Sequence, residues 1–164
     1  MQTAHSLTIR NPLYALPMHS TKSPATRVFL IDRSDFVCDR LKALLAGTAI
    51  VVGYACNPAD AVAGINRHLP DVVVVDMAVA EVDGFRLLRQ LSLKSHPMVV
   101  IVLAEQTEDA FRQHCLRLGA HYFLDKTHDF ESVQSIISSR QSAGNANSLL
   151  PIPPQGATQP PAVF

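Results

Sequence analysis

Unbalanced charge is the first thing this sequence lacks. It carries 14 basic and 14 acidic residues, a formal net charge of zero, so no basic surplus points to a nucleic-acid partner. Long apolar runs are missing as well. The unbroken ones stay far below membrane-spanning length, and no membrane partner is expected. Cysteine is scarce. Cys38, Cys56 and Cys115 are odd in number, widely separated and set in apolar stretches. They read as reduced core residues of a cytosolic protein. The 7 histidines show no HxxxH spacing and the cysteines no CxxC, which argues against zinc. Acids are absent before Asp32. In that one respect the N-terminal segment resembles a targeting peptide, but it has no continuous apolar stretch, and Pro12, Pro17 and Pro24 interrupt any helix.

What is present sorts into a centre and two ends. The chain has 164 residues with 48% hydrophobic content, enough for one domain with a full core. Of its 11 prolines, 8 lie in residues 1–26 or 151–164, and Pro58, Pro70 and Pro97 sit at edges of periodic segments. A folded domain is therefore expected over 27–140, with flexible tails at 1–26 and 141–164. Residues 141–164 carry no charge, and Pro151-Ile-Pro-Pro154 is a weak polyproline signal.

Within the domain, strand and helix patterns alternate. Val28–Ile31 is an apolar strand ending at Asp32. Ser34 caps a helix through Leu45, with Phe36, Val37, Leu41, Leu44 and Leu45 inward and Gly47 as its stop. Ile50–Tyr54 is a second strand. Asn57-Pro58-Ala-Asp60 supplies an N-cap, a proline at the first helical position and an early acid, for a helix to about His68. The run Val72–Val75 is β-branched and too short for a helix. It reads as a strand buried on both faces, ending on Asp76. Asp83 caps a helix with Phe85, Leu88 and Leu91 inward. Met98–Leu103 is a fourth strand. Thr107-Glu-Asp opens a helix carrying Phe111, Cys115 and Leu118, closed by Gly119. Tyr122–Leu124 is a fifth strand, and Thr127 or Asp129 starts a last helix with Phe130, Val133 and Ile137.

Five β/α units with short links call for a parallel sheet with helices on both faces. The order chosen is the flavodoxin-like 2-1-3-4-5, a three-layer (βα)5 sandwich. Strands 1 and 3 are then neighbours, and ligands in open α/β sheets bind at the carboxyl ends of strands. Asp32 and Asp76 share that crevice, and strand 5 delivers Lys126 to the same edge. Taken alone, Asp76 is equally a turn or capping residue.

Three stretches in this order carry a specific likeness: Val28-Phe-Leu-Ile-Asp32; Asp71-Val-Val-Val-Val-Asp76 with Asp83-Gly84; and Gly119-Ala-His-Tyr-Phe-Leu-Asp-Lys126. Over about 115 residues the chain resembles the receiver domain of two-component response regulators. The segment Phe111–Lys126 is most similar to stand-alone receivers without an output domain. The resemblance implies phosphorelay signalling, with Asp76 as phosphoacceptor and Lys126 contacting the phosphoryl oxygens. It also implies Mg²⁺ held by Asp32, Asp76 and the carbonyl of Ala78. Ala104 takes the strand 4 switch position and Phe123 that of the switch aromatic. The implied partners are a histidine kinase or phosphotransfer protein and a downstream protein docking around Arg112, His114, His121 and Tyr122, in the cytoplasm. No DNA-binding helix pair is read after residue 141.

Residue types fit the chemistry. A carboxylate attacking an anionic phosphoryl group needs positioning and charge neutralisation. A hard divalent ion and a lysine supply both. The sequence departs from the family pattern at this point. Arg33 stands where a second acid is usual. Ala104 replaces a hydroxyl, Glu105 follows it where a small residue is usual, and Thr127 and Ala80 replace prolines. Two unit charges ~4 Å apart interact by about 4 kcal/mol at an effective dielectric near 20, so an adjacent guanidinium weakens Mg²⁺ binding. Arg33 either pairs with Asp76 in the metal's place, or points to solvent while the metal still binds through Asp32, Asp76 and a carbonyl near Ala78. Glu105 is a candidate to restore an acid.

Three functional readings follow. The first is a single-domain receiver phosphorylated on Asp76, with no enzymatic activity beyond self-catalysed phosphoryl acceptance and hydrolysis. The second is a pseudo-receiver, a phosphorylation-independent interaction module. The third, a small flavodoxin-like enzyme or nucleotide binder, lacks its glycine-rich loop: Ile31-Asp-Arg-Ser-Asp has no glycine.

Overall fold

A computed structural model describes residues 25–79 and 81–144. The expected tails lie largely outside these residues.

Five parallel strands form one sheet in the order β2-β1-β3-β4-β5. They are β1 (Thr26–Ile31), β2 (Ala49–Ala55), β3 (Val72–Asp76), β4 (Val99–Ala104) and β5 (Tyr122–Asp125). The helices are α1 (Asp35–Leu45), α2 (Pro58–His68), α3 (Glu81–Ser92), α4 (Asp109–Arg117) and α5 (Ser132–Gly144). This is the flavodoxin-like arrangement expected from the alternating pattern. The last helix continues past residue 140.

The central strands are buried throughout, which is why they read as unbroken apolar runs. Alternate residues serve opposite faces. Phe29, Ile31, Val73, Val75, Val100 and Val102 pack under α2, α3 and α4. Val28, Leu30, Val72, Val74, Ile101 and Leu103 pack against α1 and α5. Register then sets the functional edge. Ile31 pairs with Val75, Asp76 with Leu103, and Ala104 with Asp125, so the strand ends come out level.

Several local expectations hold. The Ser34 hydroxyl accepts from Val37 N–H at 3.4 Å, and the Asn57 side chain accepts from Asp60 N–H at 2.9 Å, with Pro58 at the first turn of α2. Others are corrected. Phe36 is 76% exposed. The buried stripe of α1 is Cys38, Leu41 and Leu45, and Phe36 lies about 200° around the helix from Cys38. Asp83 does not cap α3, because a 3-10 turn at Met77–Val79 reverses the chain and α3 begins at Glu81. α4 begins at Asp109, within the expected Thr107-Glu-Asp opening, with Glu108 in the N-cap place and no side-chain cap bond. Neither Thr127 nor Asp129 starts α5, because residues 126–131 are turns. All three cysteines are free, but Cys56 is exposed and so is not a core residue.

Candidate functional site

The site is built where three strands end. Asp32 follows β1, Asp76 closes β3, and Lys126 follows β5. Asp32 and Asp76 are only 3% and 4% exposed, and apart from Thr26 they are the buried polar residues of the described chain. Burying carboxylates is costly unless each is paired and hydrogen-bonded. Both are. Lys126 Nζ lies 2.6 Å from Asp76 Oδ2 and 3.4 Å from Asp32 Oδ2. Ser34 N–H donates to Asp32 Oδ1 at 2.7 Å, and Ala78 N–H donates to Asp76 Oδ1 at 3.1 Å. Each of the four carboxylate oxygens thus takes a protein donor.

The electrostatics follow from this crowding. Burial is the main reason the Asp32 carboxyl is held above its usual value of 3.8. The Ser34 bond pulls it back, the Asp76 charge pushes it up again, and Lys126 lowers it. For Lys126, burial acts downward, but the bond to Asp76 and the charges of Asp76 and Asp32 outweigh it, and its ammonium is held above 10.5.

The backbone fixes the lysine. Lys126 N–H donates to Ala104 O at 2.9 Å. The turn that follows has no proline. Instead Asp125 Oδ1 accepts from Thr127 N–H at 2.7 Å and from His128 N–H at 3.1 Å, an Asx-type turn that does the proline's work. His128 Nδ1 lies 3.0 Å from Asp125 Oδ2. Sequence reasoning passed over Asp125, although an Asp at the end of a strand before a turn is a usable signal. It also read Ser34 only as a cap, whereas its N–H holds Asp32.

The remaining site candidates are placed as follows. Arg33 is exposed and, among the described residues, pairs with no acid; Lys126 is the cation on Asp76. Glu105 is exposed and does not join the crevice. Ala78 is exposed on the 3-10 turn beside Asp76. Ala104 is buried at the end of β4. Phe123 is buried and turned inward, its ring 6.0 Å from that of Phe111. The Arg112 guanidinium stacks 5.4 Å from the Phe123 ring centre, and its Nη2 donates to Phe123 O at 3.2 Å. Arg112, His121, Tyr122 and Phe123 line a shallow groove of about 200 Å³ with Leu116 and Leu124. His114 lies apart from it, edge-on to Phe85 at 4.6 Å.

A magnesium ion asks for about six oxygen ligands in near-octahedral array. Two carboxylates lie within the one or two that hold this ion together with waters, but the set fits it poorly in charge: both acids are already held by Lys126, and the residue after Asp32 is a cation.

Comparison with other proteins places this geometry. The family model of the response regulator receiver domain matches residues 28–138. The PhoP virulence transcriptional regulatory protein of Salmonella typhimurium is 26% identical over 130 residues, which cover 78% of this chain and 58% of PhoP. The chain thus spans little more than half the length of that relative. Among solved structures, the signal receiver domain of the response regulator NarL from Mycobacterium tuberculosis aligns with a TM-score of 0.62 at 26% identity, covering 76% of this chain and all of that one. The CheX–CheY–BeF3–Mg complex of Borrelia burgdorferi contains a chain alike in fold, with a TM-score of 0.63 at 22% identity over 70% of this chain and 88% of that one.

Proposed function

Because the chain belongs to the response regulator receiver domain family, we propose that it is a stand-alone receiver that accepts a phosphoryl group on Asp76 and signals through protein contacts. The observation that carries this reading is the Lys126 ammonium at 2.6 Å from a buried Asp76 carboxylate, with Asp32 in the same crevice. An Asp76 carboxylate oxygen attacks phosphorus, the bond to the leaving group breaks, and Lys126 takes up charge on the phosphoryl oxygens. Water later hydrolyses the acyl phosphate. No other enzymatic activity is proposed. Receiver domains of this family typically bind Mg²⁺ for phosphorylation.

The phosphoryl group comes from a histidine kinase or phosphotransfer protein in the cytoplasm. The output partner is a protein, docking at the groove between α4 and β5, around Arg112, His121 and Tyr122. The Borrelia relative in complex with CheX supports a protein partner for this fold. Neither a nucleic acid nor a membrane is proposed as partner.

The test is intact mass after incubation with acetyl phosphate. The parent is expected to gain one phosphoryl group and Asp76→Asn none. A gain that persists in Asp76→Asn places the acceptor elsewhere. No gain in either protein favours the second reading, a pseudo-receiver that binds its partner without phosphorylation. Ala104 gives that reading its footing, since it offers no hydroxyl to a phosphate.

A further inference from the structure

We infer that Arg33 takes the place of the divalent ion, so that phosphoryl acceptance at Asp76 proceeds without metal. The inference rests on the reading of Asp76 as acceptor and concerns how its charge is managed.

Charge counting comes first. An incoming phosphoryl group is anionic, and so are both acids of the crevice. Lys126 alone neutralises one of those acids. Counted as formal charges, Asp32 and Asp76 are matched by Lys126 and by Arg33, the residue next to Asp32, before any metal arrives. A divalent ion added to this set would make it cationic and would meet a guanidinium one residue from its ligand.

Placement comes second. The backbone on each side of Arg33 is pinned. Asp32 N–H donates to Ala55 O at 3.1 Å, and Ser34 N–H donates to Asp32 Oδ1 at 2.7 Å while Ser34 caps α1. The Arg33 backbone is thereby fixed next to Asp32 at the strand end. Its side chain is exposed and engages no acid among the described residues, so its five N–H donors are free for a ligand. Lys126 is committed to the floor, between the two carboxylates. The two cations therefore divide the work: Lys126 holds the nucleophile and takes up charge on the phosphoryl oxygens from the floor, and Arg33 meets the donor from outside.

Chemistry comes third. A guanidinium is always charged and matches two phosphoryl oxygens with a planar fork. Arginines that stabilise transferring phosphoryl groups raise rates by about 10³–10⁵ in nucleotide hydrolases. In the present step the Asp76 oxygen forms a bond to phosphorus as the phosphorus–oxygen bond of acetyl phosphate breaks. Acetate leaves with the electron pair, and total charge is unchanged. Arg33 binds the equatorial phosphoryl oxygens throughout.

The experiment follows phosphorylation by acetyl phosphate through intact mass, in excess EDTA and in Mg²⁺. The parent is expected to react at the same rate in both. Arg33→Gln is expected to lose roughly 10²-fold in EDTA, the scale of removing one oriented donor from a developing oxyanion, with Arg33→Lys in between. Arg33→Asp is expected to become Mg²⁺-dependent. Calorimetry with Mg²⁺ alone should show binding to Arg33→Asp and none to the parent. All three variants change an exposed residue, so folding is not at issue. A parent that reacts only with Mg²⁺, or an Arg33→Gln that matches it in EDTA, overturns the inference and leaves Asp76 as acceptor. A parent inert in both conditions overturns the functional reading and the inference together.

Discussion

Asp32 shows how a functional residue is held at the expense of stability. It is buried, and its carboxyl is raised above 3.8 mainly by that burial. A raised acid binds its proton more tightly in the folded state. Its charged form therefore weakens folding above the raised value, and this penalty fades as pH falls toward 3.8. Asp32→Asn keeps an acceptor for Ser34 N–H and leaves Lys126 its 2.6 Å partner, Asp76. It should stabilise the protein by about 1 kcal/mol at neutral pH, as expected where a charge is kept for function. The gain should shrink on acidification. Thermal unfolding at pH 7.5 and at stepwise lower pH checks this; a variant less stable than the parent at neutral pH would refute it. The acids and lysine of this site were legible in the sequence because each follows an apolar strand. Their partners were less so. The Ser34 and Ala78 bonds are made by backbone N–H groups, which side-chain identity does not reveal. Arg33 was open between two directions, since a long flexible side chain is placed by what its neighbours already hold, and Lys126 already holds Asp76.

The elements were legible wherever hydrophobic period and capping agreed. The Asn57-Pro58 start of α2 is one such place, and the run Val72–Val75 is another. Helix starts failed at Asp83, where α3 begins two residues earlier at Glu81, and at Thr127, where a turn competed for the same residues. Phe36 failed because apolar identity was taken for direction, while the helix period points it outward. The packing of α2 on β1 was invisible in sequence yet sets two glycines. Phe29 lies flat under both. A Cβ at Gly53 would stand 2.7 Å from Phe29 Cε2, and one at Gly64, within α2, would meet the ring more closely still. The pairing of β1 with β2 shifts at the same point, between Val28 and Phe29. Gly64→Ala ought to gain nearly 1 kcal/mol of helix propensity. Overpacking against a buried ring should outweigh that gain, for a net loss of about 2 kcal/mol. Phe29→Leu clears the space, so the pair should be strongly non-additive. Urea unfolding of the two single variants and the double variant measures the coupling; additive losses would mean that the ring does not set the helix position.

At the scale of the whole molecule, the question is whether the site and the α4–β5 face are coupled. Ala104 and Phe123 belong to the same core layer on adjacent strands, with Ala104 paired to Asp125 and Val102 to Phe123. Phe123 is already buried, in contact with the Phe111 ring and with the Arg112 guanidinium. Ala104 leaves room for that ring and has no hydroxyl to bond a phosphate. A ligand moves an equilibrium only by its differential affinity for the two states. A phosphate with no bond to β4 has reduced leverage on a ring already inward, so phosphorylation of the parent should change α4 and β5 less than in a variant that restores a hydroxyl at 104. Ala104→Thr alters both terms. Its extra atoms compete with the ring for buried space, and its hydroxyl bonds a phosphate only in the inward state. One charge-assisted hydrogen bond made in a single state is worth about 1.5 kcal/mol, a ~10-fold shift in population. Amide hydrogen exchange across Asp109–Arg117 and Tyr122–Asp125 reads this directly. In the parent, exchange should change by a small amount on phosphorylation. In Ala104→Thr it should be faster before phosphorylation and return toward the parent after it. An equal response in parent and variant would mean that the face is driven by another route, and that Ala104 is no more than a small residue closing a buried strand.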